Sequence, residues 1–331
     1  MIHYLAGRVV TMLVTLLAIS VLVFVIIQLP PGDYLSTYIA EIQAQGEAVT
    51  SDKIDFLREQ YGLDKPLWQQ YLVWVTGLVQ GDLGYSFEFN QPVADVVGER
   101  MPLTILLNFA TVLFVYLVSF PIGIYSATHQ YSWTDHGLSF LGFLGLATPN
   151  FLIALILLYF ANVWFGTSIG GLMAPEYVDA PWSWGKIVSV LAHLWVPVVV
   201  IGTAGTAGMI RRLRANLLDE LYKPYVVTAR AKGLTEAQIL RKYPLRMALN
   251  PFVADIGTLL PQIVSGSVIV SAVMSLPTTG PMLLTSLRSQ DMYLAGSFLM
   301  FLAALTVAGM LVSDILLAVL DPRIRLGASS R

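Results

Sequence analysis

The sequence contains no cysteine and is poor in charge. Without cysteine the chain forms no disulfide, offers no thiolate to a metal and has no cysteine nucleophile. Its four histidines are widely spaced, and we therefore expect no metal site. Charged residues make up 12% of the chain, whereas an ordinary soluble domain has about a quarter. The low content of charged residues excludes an ordinary soluble domain.

Apolar residues take the place of the missing charge. They make up 56% of the 331 residues, an excess that suits contact with lipid. A bilayer core about 30 Å thick needs roughly 20 apolar residues in a helix. The sequence therefore predicts an all-α membrane protein with six transmembrane helices, at Val9–Leu29, Leu103–Tyr125, Leu138–Trp164, Ile187–Ile210, Phe252–Leu276 and Leu294–Leu320.

The predicted spans divide the chain into three regions. Residues 1–30 are the N-terminus and the first span, and residues 31–101 form an external loop. Residues 102–331 form a core of five spans that includes the loop 210–250. The division makes 31–101 the main segment outside the membrane on its side.

Two amphipathic helices are predicted in the external loop. Asp52–Tyr61 has apolar residues at helical spacing and ends before Gly62. A second helix starts at Pro66 and ends before Gly81. A structural cap over the bundle and a docking site for a partner are both open as roles for these helices.

Basic residues are concentrated in one loop. Nine of the 19 lysines and arginines lie between Ile210 and Asn250, and Arg8 and three arginines of the C-terminal tail fall on the same side. Loops rich in lysine and arginine stay in the cytoplasm. We therefore expect this loop and both termini to be cytoplasmic and residues 31–101 to be outside.

The basic loop carries clear signals for helix starts and ends. Lys223–Tyr225 predicts a helix start and Gly233 its end, and Thr235–Gln238 reads as a capping box that opens a second helix. A DNA-binding helix-turn-helix is one alternative, but the loop lies between two membrane spans. A plain solvated basic loop is the other, and the caps argue against it.

Several segments resemble one transporter family. Tyr225–Leu234 resembles the coupling loop of ABC importer permeases of the peptide/opine/nickel family. The chain departs from the wider permease motif at Val227–Ala229, where that motif has Glu-Ala-Ala, and at Thr278–Pro281, where the family commonly has Gly-Leu-Gly. The resemblance covers nearly the whole chain, through the further segments Gly62–Leu67, Gly81–Ser86, Pro102–Thr104, Leu276–Pro277, Asp291–Tyr293 and Leu320–Arg325.

The resemblance implies a fold and a role. The fold is that of a type I ABC importer permease with a cytoplasmic coupling-helix loop, in a bacterial inner membrane. The chain is then a transport subunit and not an enzyme. The implied partners are a second homologous permease subunit, two ABC ATPase subunits, an external solute-binding protein and membrane lipid, with no nucleic acid. The expected solute is a di- or oligopeptide, with oligosaccharides, opines or nickel chelates as alternatives.

ATP is expected to bind to separate subunits. The pair Gly185-Lys186 lacks the hydroxyl residue and the earlier glycine of a phosphate-binding loop. We therefore expect no cofactor on this chain, with ATP and Mg used by the ATPase subunits. The resemblance implies that coupling to them involves Tyr225, Val227, Thr228, Ala229, Arg230, Lys232, Gly233 and Arg241.

Polar and helix-breaking positions inside the spans are candidates for a translocation path. Asp255 and Asp314 lie near predicted cytoplasmic ends, where a transport role and simple reach to the interface both stay open. Helix interruptions are expected at Pro121, Pro149, Pro197 and Pro261. Candidate path residues, for which helix-to-helix hydrogen bonding is the alternative, are Asn108, Pro149, Asn150, Gln262, Ser265, Ser267 and Ser271.

Two other classes of membrane protein compete with the importer. A membrane enzyme would need clustered nucleophile, base or metal ligands, such as a His-Glu-x-x-His pair, and the sequence has none. We expect no catalytic residues. A stand-alone channel or secondary carrier would show internal sequence symmetry, which is not evident, and would leave the capped basic loop unexplained.

Overall fold

The computed structural model describes residues 2–29, 64–166, 169–178, 180–255 and 267–320, with the single positions 35, 39, 259, 262 and 265. Most of these residues are helical. The α-helices are α1 (Ile2–Gln28), α2 (Leu67–Val79), α3 (Val93–Thr128), α4 (Trp133–Ala147), α5 (Asn150–Phe165), α6 (Trp184–Leu221), α7 (Pro224–Ala231), α8 (Glu236–Lys242), α9 (Pro244–Ala254), α10 (Val268–Val273), α11 (Thr279–Arg288) and α12 (Met292–Leu320). Strands β1 (Tyr85–Ser86) and β2 (Gln91–Pro92) form a short hairpin, and Pro175–Tyr177 is a 3₁₀ turn.

The predicted all-helical membrane fold is confirmed. Within the described residues α1, α3, α6 and α12 are each long and apolar enough to cross a membrane, and α4 with α5 adds a fifth span if the bent pair is counted as one. The predicted span Phe252–Leu276 falls partly on positions outside the described residues. The number six therefore stays a prediction.

The predicted span Leu138–Trp164 consists of two helices with a sharp bend between them. Helices α4 and α5 meet at Thr148–Pro149 with a bend of 95°. Pro149 has no amide hydrogen to donate, and its ring disfavours helical backbone in the residue before it. Thr148 accordingly has an extended conformation, with φ −93° and ψ 119°. The predicted interruption at Pro149 is thereby confirmed.

The predicted interruptions at Pro121 and Pro197 are wrong. Pro121 lies inside the continuous helix α3, and Pro197 lies inside α6. An internal proline costs a helix about 3 kcal/mol. Helices α3 and α6 form the most extensive helix pair of the molecule, and burial along this pair offsets that cost. Pro261 lies outside the described residues.

The parallel helices α3 and α6 are the centre of the bundle. Their first halves meet in a core that contains Leu107, Val190 and Val200. Their last halves meet in a second core, where Ala127 and Leu213 contact Phe252. Gly202 lies against the Phe114 ring, and a Cβ at Gly202 would come within 2.8 Å of a ring carbon. Small residues of α6 thus allow the two helices to approach closely.

Helix α6 continues well beyond its predicted end at Ile210. It ends only at Leu221, so the first part of the predicted Ile210–Asn250 loop is helical. Leu213 and Leu217 are fully buried and extend the apolar stripe of α6 at helical spacing. Because these residues have a core to pack against, the helix does not stop where the continuous apolar run does.

The bundle has two ends with different chemistry. The basic end consists of the last turns of α6 with α7, α8 and the start of α9. The hairpin end consists of α2, β1, β2 and the start of α12. The predicted helix from Pro66 to Gly81 is confirmed as α2, and Gly81 has φ +85°. The predicted helix Asp52–Tyr61 lies outside the described residues.

Candidate functional sites

At the basic end, α7 and α8 form a small unit with its own core. Both helices occur where the signals of the sequence predict them, so the helix–glycine turn–helix is confirmed. Each helix contributes apolar side chains to a cluster shared between them. The buried members are Val226, Ala229 and Ile239, with Tyr225, Leu234 and Tyr243 packed around them. The unit is therefore a packed element and not a solvated loop.

Gly233 makes the turn between the two helices. Its φ of +79° lies in the left-handed region, and its amide donates to the carbonyl of Arg230 at 2.9 Å. The Leu234 amide donates to the carbonyl of Ala229 at 3.4 Å. A Cβ at Gly233 would meet no heavy atom within 4 Å. Glycine is thus favoured here by backbone conformation and not by lack of space.

Side chains on both sides of the turn hold α8 in place. The Gln238 amide donates to the Thr235 hydroxyl at 3.4 Å, and the Thr235 amide donates to the Gln238 side-chain oxygen at 3.1 Å. Arg230 donates two hydrogen bonds to Glu236, at 2.7 and 3.0 Å. Hydrogen bonding to the Arg230 guanidinium lowers the pKa of the Glu236 carboxyl and keeps it ionised at neutral pH.

Tyr225 anchors α7 to the end of α6. Its hydroxyl donates a hydrogen bond to the Glu220 carboxylate. Burial and the negative charge of Glu220 raise the pKa of Tyr225 to about 12. The phenol therefore stays protonated and keeps its role as donor. This bond joins the helical pair to the longest helix of the bundle.

One face of α7 has no partner within the described residues. Pro224, Val227, Thr228 and Ala231 recur at helical spacing and are all exposed. Val227 has 60% of its surface exposed. These four residues define the α7 free face. A rigid helix with one packed face and one open apolar face is suited to docking in a groove of another protein.

The predicted coupling residues have different positions in this unit. Tyr225 and Ala229 pack inward, whereas Val227 and Thr228 belong to the α7 free face. Arg230 and Gly233 shape the turn, and Lys232 is exposed beside it. Arg241 lies apart from them and lines a cleft beside α8. The structure thus brings seven of the eight onto α7 and its turn.

A buried ion pair near the basic end was not predicted from the sequence. Arg214 of α6 donates to Asp135 of α4 through two bonds, at 2.7 and 3.0 Å. The Ser126 hydroxyl at the end of α3 also bonds this carboxylate, and the Tyr131 amide donates to it at 3.0 Å. Asp135 is only 2% exposed. The carboxylate therefore joins three helices. In the sequence, the only indication of this ion pair is an acidic residue beside an apolar run.

Asp255 has a local partner. It forms an ion pair with Arg212 of α6, and the Arg212 guanidinium lies 4.4 Å from the centre of the Phe252 ring. Both charged side chains are partly exposed. The pair ties α6 to the end of α9. The side chain of the other predicted ionisable residue, Asp314, is outside the described part of the chain.

A cavity of about 310 Å³ lies between α3, α6 and the segment before α10. Four of the predicted path residues line it together: Asn108, Gln262, Ser265 and Ser267. Thr111 adds a hydroxyl group that was not predicted. The remaining lining is Val112, Val115, Tyr116, Ile201, Gly205, Met209 and Leu259. The wall of the cavity is mostly apolar and contains a few hydroxyl and amide side chains.

The other three predicted path residues lie outside this cavity. The Asn150 amide nitrogen donates to the carbonyl of Ile201 at 3.0 Å and joins the start of α5 to α6. Pro149 makes the bend before that helix. Ser271 is buried in α10, and its Cβ lies close to Gly280 of α11. For Asn150 the helix-to-helix hydrogen bond is the role that the contacts favour.

At the hairpin end, Asp291 fastens the hairpin to the start of α12. Its carboxylate is fully buried and accepts hydrogen bonds from the Ser86 hydroxyl at 2.6 Å and from the amides of Glu88 and Leu294 at 3.1 Å. Burial raises the pKa of Asp291, and these hydrogen bonds act in the opposite direction. The hairpin is therefore held firmly on the bundle.

Two models of one transporter family match almost the entire chain. The model described as "Binding-protein-dependent transport system inner membrane component" matches residues 119–326. The model described as "Binding-prot-dependent transport system membrane comp, N-term" matches residues 1–108. Together the two matches leave out only a short stretch within α3 and the last residues.

Relatives from several bacteria are similar over their full length. The oligopeptide transport system permease protein AppB of Bacillus subtilis is 36% identical over 97% of this chain and 98% of its own length. The dipeptide transport system permease protein DppB of Lactococcus lactis is 30% identical over 98% of this chain and all of its own length. DppB of Escherichia coli K12 is 28% identical over 98% of this chain and 99% of its own length.

Proposed function

This chain belongs to the family of binding-protein-dependent transport system inner membrane components, and from that premise we propose that its solute is a di- or oligopeptide. It is a multi-pass permease component of an ABC transporter and not an enzyme. Such a component works with a binding protein and an ATPase. The observation that carries the peptide proposal is full-length similarity to permeases named for oligopeptides and dipeptides.

The 310 Å³ cavity is the part of this chain that contacts the solute on its way through. Its volume is at the lower end of the range for small-molecule sites. Asn108, Gln262 and Ser265 give it a small number of amide and hydroxyl groups, which bind peptide groups weakly enough to release them. A second, homologous permease completes the path on the open side of the cavity.

The α7 free face is the surface that docks on an ATPase subunit. The core under α7 keeps the helix rigid, so little conformational entropy is lost when it binds. The Tyr225 bond to Glu220 transmits a displacement of α7 directly to α6. Because α6 lines the cavity through Ile201 and Met209, movement of the ATPase subunits reaches the path through one continuous helix.

The peptide proposal predicts the effect of a single substitution on uptake. Cells that lack this chain should lose uptake of a radiolabelled dipeptide or tripeptide, and the wild-type chain should restore it. Val227→Asp should restore less than about a tenth, because a charge on the α7 free face is desolvated at the docking contact. Val227→Thr, which keeps the shape of the side chain, should stay close to wild type.

The peptide substrate and the docking through α7 are tested by different results. Undiminished peptide uptake in cells without the chain would contradict the peptide proposal. Full uptake with Val227→Asp would contradict docking through α7. Since Val227 is exposed and touches no core, both variants should reach the membrane in normal amounts, which immunoblots of membrane fractions check.

The basic end faces the cytoplasm and the hairpin end faces outward, in keeping with the nine basic residues between Ile210 and Asn250. The chain has no cysteine, so single cysteines give clean labelling sites. Ala94→Cys should react with a membrane-impermeant maleimide in intact cells, and Gln238→Cys should react only after lysis. Both positions are exposed. The opposite pattern would reverse the orientation.

The hairpin end provides the surface for the external solute-binding protein. The Asp291 hydrogen bonds hold β1 and β2 on the start of α12, and α2 packs beside them through Trp74, which donates to the Ser297 hydroxyl at 3.2 Å. A docking surface made of rigid elements loses little entropy on binding. Binding of the partner at this surface therefore acts on α12 directly through these packed elements.

A further inference from the structure

We propose that the cleft between α8 and α9 is a binding site for the headgroup of an anionic phospholipid. The cleft has a volume of about 430 Å³. Its lining consists of Leu234, Ala237, Gln238, Arg241, Lys242 and Arg246. Three positive side chains and one amide therefore share a small concave surface, and no carboxylate lines it.

The charges of the cleft differ from the other arginines of the basic end. Arg212 is paired with Asp255, Arg214 with Asp135 and Arg230 with Glu236. Within the described residues, by contrast, none of the three cleft cations has a carboxylate partner.

Lys242 has one further contact, because its ammonium lies 5.6 Å from the centre of the Tyr243 ring. The three positive charges of the cleft would therefore be neutralised by an anion from outside the chain. A phosphate diester suits them, since arginine binds phosphate oxygens through two parallel hydrogen bonds and Gln238 adds a neutral donor.

The cleft lies on a side of α8 that α7 does not cover. Ala237, Gln238 and Arg241 share one face of α8 at helical spacing. Ile239 is on a different face, where it packs against Val226 of α7. The cleft is therefore separate from the α7 free face. Its second wall is α9, the helix that leads from α8 back to the core of the bundle.

Helix α9 connects the cleft to the predicted span that begins at Phe252. Phe252, near the end of α9, packs against Leu213 in the second core, where the last halves of α3 and α6 meet. Arg246 precedes Phe252 by six residues, which is about 9 Å along a helix. The headgroup layer on each side of a bilayer is about 5 to 7 Å thick. If the bilayer core begins at Phe252, where the predicted span Phe252–Leu276 starts, Arg246 lies at the outer edge of this layer, and its long side chain reaches back to the phosphates. Its neighbour Met247 is half exposed.

These observations favour a lipid over a protein partner. A cleft of this size takes up one headgroup, whereas protein docking surfaces are broad and largely flat. Clusters of lysine and arginine next to a membrane helix attract anionic lipid headgroups, with about 1 kcal/mol for each residue. Three such residues together favour an anionic over a neutral headgroup by about a hundredfold.

The test compares two variants of the full chain with the same loss of charge. The cleft variant combines Arg241→Gln, Lys242→Gln and Arg246→Gln. The control variant combines Arg211→Gln, Lys223→Gln and Lys232→Gln, which are exposed at the basic end but outside the cleft. Each protein is reconstituted in vesicles of equal parts phosphatidylglycerol and phosphatidylcholine and extracted in mild detergent. Native mass spectrometry then counts the lipids that stay bound.

Wild type and control should retain phosphatidylglycerol over phosphatidylcholine, and the cleft variant should lose this preference by at least about tenfold. Equal preference in the cleft variant and wild type would overturn the proposal. Saturable binding of labelled inorganic phosphate by lipid-free protein, without retained phosphatidylglycerol, would overturn it in favour of an ion site. If the cleft variant retains lipid normally but loses the copurifying ATPase subunits, the proposal would be overturned in favour of a protein contact. Unchanged unfolding temperatures ensure that the variants are folded.

Discussion

Gly233→Val is expected to abolish peptide uptake while the chain still reaches the membrane in normal amounts. The position has φ +79°, a conformation that costs residues other than glycine roughly 1–2 kcal/mol and a β-branched residue more. The turn therefore adopts another conformation and changes the angle between α7 and α8. Membrane insertion depends on the apolar spans, which this turn does not touch. The α7 free face is then wrongly oriented for docking.

Asparagine at the same position provides the matched control. Asparagine adopts the left-handed conformation more readily than other non-glycine residues, so Gly233→Asn should keep most of the uptake. Because a Cβ at this position meets no atom within 4 Å, neither variant creates a clash, and the comparison isolates the backbone. Gly233→Ala should fall between the two.

Three measurements check this prediction: uptake of labelled peptide, copurification of the ATPase subunits and abundance in membranes. Gly233→Val should lose the first two and keep the third. Full uptake by this variant would show that the turn is not needed for coupling. Equal failure of valine and asparagine would show that side-chain volume matters here, against the conformational explanation.

Asp135→Ala is expected to lower the free energy of unfolding by about 3 kcal/mol, the cost of breaking a buried ion pair by removing one partner. Asp135 is 2% exposed and accepts hydrogen bonds from Arg214, Ser126 and the Tyr131 amide. Its removal leaves the Tyr131 amide without its acceptor and leaves the Arg214 guanidinium only the Ser126 hydroxyl, at 3.1 Å. In detergent the unfolding temperature should fall by roughly 6 °C.

A double variant separates the ion pair from packing. In Asp135→Leu with Arg214→Met no charge is left behind, and an apolar pair of similar volume often restores stability. We therefore expect most of the lost unfolding temperature to return. If the double variant stays as unstable as Asp135→Ala, packing around α4 and not charge explains the effect.

The exposed ion pair of Arg230 and Glu236 is the control for the buried ion pair of Arg214 and Asp135. Both side chains are largely in solvent, and pairs of this kind contribute between about 0 and 1 kcal/mol. Glu236→Gln should accordingly change the unfolding temperature little. A loss as large as that of Asp135→Ala would contradict the assignment of the main stabilising role to the buried pair.

The features that the sequence predicted are those governed by nearby residues. The helix at Pro224, the turn at Gly233 and the capping box at Thr235–Gln238 each depend on backbone preferences within four residues. The apolar spans follow from composition over about 20 residues. The extension of α6 to Leu221 was missed, because its cause is a core built by Ala127 and Phe252 from other helices.

The sequence by itself determined the membrane class, the helical content and the local form of the basic loop, because hydropathy and capping act over short stretches of chain. Only the tertiary structure decided which polar groups meet. Arg214 reaches Asp135 across 79 residues, and Asn108 shares a cavity with Gln262 while Asn150 bonds α6 instead. A polar residue in an apolar helix must find a partner, but the packing of other helices decides which partner lies within hydrogen-bonding distance.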